Sequence, residues 1–113
     1  NNLAYMMAEE GRDLDLALTY AQRARQQLPG NLDIADTLGW VYIRKQLSDS
    51  AVNLYRELVP KAPKNPIYHF HLGMALYQKG DKAGAKKSLQ TALSLNPAPN
   101  DSAKIKELLS KLG

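Results

Sequence analysis

A chain of 113 residues with 44% hydrophobic and 23% charged side chains is too apolar for a disordered polymer and has the size of one small domain or a short stack of repeats. No apolar run approaches the roughly 20 residues needed to cross a bilayer, Asn1 opens without the basic and apolar segments of a signal peptide, and the absence of cysteine removes disulfides, thiolate metal sites and cysteine nucleophiles. The formal charge of +4 suits an acidic partner only weakly, so the placement of the basic residues matters more than their sum.

In chain order, Leu3, Ala4 and Met7 give one apolar face to a helix over 1–10, and Gly11-Arg12-Asp13 makes a turn. A second helix over 13–27 carries Ala17, Ala21 and Ala24, and Pro29 follows it. The next pair spans 32–45, with Leu38, Gly39 and Tyr42, and 48–60, with Ala51, Tyr55 and Leu58. Pro60 lacks a backbone donor and crowds the preceding turn, so that helix should kink or end near Val59. A third pair spans 66–79 and 82–95 around the turn Gly80-Asp81. A last helix over 101–112 has the apolar stripe Ile105, Leu108, Leu109 and Leu112, with Lys104, Lys106, Glu107 and Lys111 facing water.

The prolines set a ruler: Pro29, Pro63 and Pro97 are evenly spaced, and the same offset pairs Leu38 with Leu72, Gly39 with Gly73, Lys45 with Lys79, and Ala51 with Ala85. A glycine inside a helix costs about 1 kcal/mol against alanine, so its recurrence at one helical position marks close packing. Gly39 is expected to lie against Ala51 across its helix pair.

The strings Ala35-x2-Leu38-Gly39-x2-Tyr42, Ala51-x3-Tyr55 and Pro63, and then His69-x2-Leu72-Gly73-x2-Leu76, Ala85-x3-Leu89 and Pro97, resemble the tetratricopeptide repeat, whose unit length matches the proline interval. The resemblance implies an all-α, right-handed solenoid of three helix-turn-helix repeats, at 1–31, 32–65 and 66–99, closed by a capping helix at 100–113. The first repeat departs from the frame: Gly11 falls one residue early, so its turn holds an insertion, and its first helix starts late, as expected of a piece of a longer solenoid. Short phrases such as Asp36-Thr37-Leu38-Gly39-Trp40 also resemble bacterial lipoproteins of this class linked to exosortase-dependent sorting and polysaccharide export.

In that family the first helix of each pair lines a concave groove that holds a protein or peptide. Carried over by position, the groove is lined by Asn1, Tyr5, Ala8 and Glu9, then Asp33, Asp36, Trp40, Ile43 and Arg44, then Ile67, Phe70, Met74, Tyr77 and Gln78. The residues expected to bind a ligand are Tyr5, Asp36, Trp40, Ile43, Arg44, Phe70, Met74 and Tyr77. The only Trp, the only Phe and two of six Tyr fall on this face, which suits apolar and aromatic anchors of an extended peptide or helix. The lysine, arginine and asparagine set with which one subclass grips a terminal carboxylate is missing. Two aspartates with Arg44 as the main cation favour a ligand carrying a basic group.

Other chemistries lack a constellation. His69 and His71 stand about 200° apart on a helix and cannot share a metal; His69 is expected to be packed and His71 to sit at the groove edge. No nucleophile with a base, no phosphate-binding glycine loop and no cofactor motif is present, so the chain is not expected to be an enzyme. Arg23, Arg25, Lys82, Lys86, Lys87 and the lysines of the last helix are scattered rather than aligned with aromatics, which excludes a nucleic-acid stripe. The reading is a protein-binding scaffold without cofactor or metal and without membrane insertion in this stretch. Its alternative is a structural spacer, or a segment self-associating through its uncapped N-terminal end.

Overall fold

The computed structural model describes residues 2–113, without the side chain of Asn2, and Asn1 lies outside them. Seven α-helices follow one another: α1 Asn2–Glu10, α2 Leu14–Gln27, α3 Leu32–Arg44, α4 Ser48–Leu58, α5 Pro66–Lys79, α6 Lys82–Ser94 and α7 Pro99–Leu112. Helices α1/α2, α3/α4 and α5/α6 form antiparallel pairs, each pair packs on the next, and α7 packs on α6, giving a right-handed solenoid of 38 × 27 × 25 Å. α4 stops at Leu58 and continues as a 3₁₀ turn over Val59–Lys61, as Pro60 requires.

The turn inside each pair is built three times in the same way. Arg12 N–H bonds the Met7 carbonyl, Leu47 N–H the Tyr42 carbonyl and Asp81 N–H the Leu76 carbonyl, each five residues back. This closure needs one left-handed residue, supplied by Gly11 (φ 70°), Gln46 (φ 62°) and Gly80 (φ 97°). The step from Gly11 to Gln46 is one residue longer than that from Gln46 to Gly80, which places the insertion after the left-handed residue, at Arg12-Asp13. Between pairs, Asn31 and Asn65 occupy the same position in successive repeats and each caps the next helix, accepting from Ile34 N–H at 3.1 Å and Ile67 N–H at 2.9 Å.

The core falls into two clusters, with Met74 and Leu112 packed against both. Ala17, Ala21, Leu38, Val41, Ala51, Tyr55, Leu58, Leu72, Leu76 and Ala85 join one buried cluster, and Phe70, Leu89, Ala92 and Ile105 form a second under α7. At Gly39 a Cβ would stand 2.5 Å from Cζ of Tyr55, one turn after Ala51 on α4, so the glycine makes room for that ring. Gly73 does the same for Leu89, whose Cγ would be 2.7 Å away. Across the outer edge, Lys79 pairs with Asp49 at 2.9 Å and Lys45 with Asp15, one repeat earlier, so a single ion-pair design recurs.

Candidate protein-binding surface

The first helices of the pairs, α1, α3 and α5, lie side by side, and α7 takes the fourth place in the row. Their register is fixed by side chains that reach from one repeat to the next. His71 Nδ1 donates to Asp36 Oδ1 at 2.8 Å, and the Gln78 amide donates to the Ile43 carbonyl at 3.0 Å, both across 35 residues. Arg44 Nε donates to the Ala8 carbonyl at 2.8 Å across 36 residues, the excess being the inserted residue. These carbonyls lie in the last turns of α1 and α3, where each also accepts a turn N–H, from Gly11 at 3.1 Å and from Gln46 at 2.9 Å, and where a cation is favoured. Phe70 and Ile105 repeat the Asp36–His71 relationship in apolar form, at the same separation.

That register corrects part of the expected groove. Phe70 is only 3% exposed, because α7 brings Ile105 over it, so it is core and not a surface anchor. Ile43 is also buried, at 6%. Arg44 stays exposed, but its guanidinium caps α1 and is not a free cation. His71 is buried rather than at the edge, and His69, half-exposed rather than packed away, donates from Nε2 to the Pro63 carbonyl at 2.7 Å. Tyr5 and Tyr77 are exposed at 40% and 37%, while Trp40, Met74 and Asp36 are half-buried. The first-repeat position Asn1 lies outside the described residues.

Beneath the surface lies a polar knot that the repeat signature does not announce. The Tyr55 hydroxyl, admitted by Gly39, stands 2.7 Å from Asp36 Oδ1, 2.9 Å from the Asp36 carbonyl and 3.2 Å from His71 Nδ1. Burial first, and then the Asp36 carboxylate, hold the Tyr55 phenol well above the usual tyrosine value. Trp40 stacks on the His71 ring at 5.0 Å and 25°, and the Tyr55 ring meets it edge-on at 5.6 Å. Trp40 is thus oriented by the knot, with its indole N–H buried and, among the described residues, without a hydrogen-bond partner. Tyr5 is shifted upward too, by partial burial and then by Glu9, Asp36 and Asp101, which marks this end of the face as acidic.

Towards the other ends of the same helices, Ile43, Met74, Tyr77, Gln78 and Leu108 enclose an apolar pocket of about 270 Å³ opening on the inner face. Leu108, assigned only to a cap stripe, completes it; the signal was its place one full repeat after Met74. Tyr55 and His71 were likewise missed as determinants of the site, since their meeting depends on a contact between repeats. Among the described residues no cluster of three potential metal ligands occurs, and no helix is long and apolar enough to cross a membrane.

A family model described as "Tetratricopeptide repeat" matches residues 7–72, and a second with the same description matches residues 66–99. The solved structure named "MamA MSR-1 C2" is similar to the chain, with a TM-score of 0.70 and 28% identity, covering 97% of this chain and 65% of that one. The chain therefore spans less than two thirds of that structure's length. No curated protein matches.

Proposed function

This chain belongs to the tetratricopeptide-repeat family, whose repeats mediate protein–protein interaction, and from that premise we propose that its concave face binds an extended peptide or helix of a partner protein. The observation that carries the reading is the apolar pocket between α3, α5 and α7, which is large enough for one bulky side chain. Met74 and Tyr77 form its accessible wall, Trp40 lies further along α3, and Tyr5 continues the aromatic surface on α1. With Arg44 engaged by α1 and with Glu9, Asp33 and Asp101 on or beside the face, a basic residue next to the apolar anchor matches the local charge.

A photo-crosslinking residue at Met74 in the full-length protein captures the ligand, and the binding segment then identified is measured against variants. Tyr77→Ala and Trp40→Ala should each weaken binding by about 2 kcal/mol or more, as for aromatic hot spots, with Lys86→Ala as the neutral control. Equal affinity for wild type and both variants would remove the groove reading and leave the spacer. Unfolding by Trp40→Ala alone would assign Trp40 to packing on His71 rather than to a ligand.

Self-association is a second reading with its own support. Leu3 and Met6 are exposed, whereas Leu38 and Leu72, and Val41 and Ala75, at the same repeat positions, are buried against a preceding helix pair. Sedimentation of wild type against Leu3→Glu/Met6→Glu tests it, and identical monomeric profiles would end it.

A further inference from the structure

The convex side carries two notches, one repeat apart and built from equivalent residues. The first lies between α2 and α4 over Leu38 and Tyr42, with Arg25 and Glu57 on its rim. The second lies between α4 and α6 over Leu72 and Leu76, with Val59 and Thr91 at the rim positions that correspond, one repeat on, to Arg25 and Glu57. In the first notch the rim closes on itself, since Arg25 Nη2 bonds Glu57 Oε1 at 3.1 Å. Val59 and Thr91 cannot form that bridge.

What lines the second notch instead is Arg56 on α4 and Lys87 on α6, both exposed and, among the described residues, in no ion pair. None of its lining residues is acidic, and the nearby Glu57 is held by Arg25 and by Lys61 at 3.5 Å. The space is about 320 Å³. Two cations over an apolar floor concentrate positive potential, and the planar guanidinium fork matches a carboxylate. A free anion would leave Val59, Leu72 and Leu76 unused; an acidic segment of a protein uses both rim and floor.

We propose that this second notch docks a carboxylate side chain of an acidic segment of a partner protein, with a neighbouring apolar side chain seated over Leu72 and Leu76. The partner supplies from outside the carboxylate that Glu57 supplies from inside one repeat earlier. This contact is on the opposite face from the groove and does not depend on it.

The test is a titration of the ¹⁵N-labelled 113-residue chain, followed by amide shifts, with acetyl-Leu-Glu-Leu-Glu-amide, its Gln counterpart and inorganic phosphate. The acidic peptide should shift Val59, Gly84, Lys87 and Thr91 amides saturably, and the Gln peptide should bind at least about tenfold more weakly. Arg56→Gln/Lys87→Gln should cost at least about tenfold, whereas Lys104→Gln on α7 should cost nothing. Thr91→Glu, which restores the internal carboxylate, should block the peptide to the same degree while leaving the circular dichroism spectrum intact. The proposal is overturned if both peptides bind equally, if the double variant or Thr91→Glu binds like wild type, if the shifts spread over Lys104, Lys106 and Lys111, or if phosphate alone reproduces them.

Discussion

Replacing Gly39 by alanine adds one methyl group on α3 where the Tyr55 ring of α4 lies against it. The new Cβ would stand 2.5 Å from Cζ, 2.6 Å from Cε2 and 2.7 Å from the hydroxyl oxygen of Tyr55, against the roughly 3.5–4.0 Å of an ordinary carbon contact. The ring must therefore retreat by about 1 Å, and it is fully buried, with its hydroxyl fixed by Asp36 and His71. Overpacking of this kind costs about 1–3 kcal/mol. Pulling the hydroxyl away leaves the buried phenol and the Asp36 carboxylate each short of a hydrogen-bond partner, about 1–3 kcal/mol more. Alanine returns about 1 kcal/mol of helix propensity, so the net loss is about 1–5 kcal/mol. In a Tyr55→Ala background the obstacle is gone and the same substitution should stabilise, by up to about 1 kcal/mol. Urea denaturation followed by far-ultraviolet circular dichroism measures both, with sucrose added to all samples if Tyr55→Ala is too unstable to show a transition. An effect of the same sign and size in both backgrounds would refute the claim that Gly39 exists for the Tyr55 ring.

Three further outcomes follow from the same contacts. Because the fold holds the Tyr55 phenol protonated, its stabilising contribution is complete below about pH 10, where an unfolded tyrosine begins to ionise, and is lost as pH rises towards the higher folded value. Stability should fall above about pH 10 with a slope from this group of at most about 1.4 kcal/mol per unit, Tyr55→Phe should flatten the curve, and parallel curves would contradict the assignment. Gln46→Gly relieves a left-handed residue at φ 62° and should raise stability by about 1 kcal/mol in urea, with no gain counting against strain at that turn. Arg44→Ala removes the side-chain donor on the Ala8 carbonyl, leaving Gly11 N–H there, and should speed amide exchange in α1 far more than in α5, so uniform acceleration would argue against a local cap.

Much of the stack was legible because the residues that announce it act locally. Pro60 ends α4 through its own missing donor, and Gly80 closes its turn through its own backbone, so a reader needs no partner to place them. Leu38, Gly39 and Ala51 were also readable as a close-packed set, but the Tyr55 ring that Gly39 admits was not singled out, since periodicity gives the face and not which side chain crosses it. The groove was less legible. Phe70 and Trp40 look alike on a helical projection, and only the arrival of α7 distinguishes them by burying Phe70 under Ile105. Arg44 read as a ligand contact and Gln78 as groove lining, yet each is used on a neighbour's carbonyl, a role visible only once the offset between adjoining helices is known.

That offset has a bearing on how such chains tolerate change in length. The extra residue at Arg12-Asp13 alters the count from Ala8 to Arg44, yet the bond between them forms as its counterpart does from Ile43 to Gln78. Alignment of neighbouring helices is thus dictated by side chains grasping the adjacent backbone, and the connecting turn merely has to reach. A turn of this sort is a natural splice point: a tag or a fluorophore-bearing loop between Arg12 and Asp13 should leave the bond from Arg44 to the Ala8 carbonyl in place, because neither partner lies in the inserted stretch.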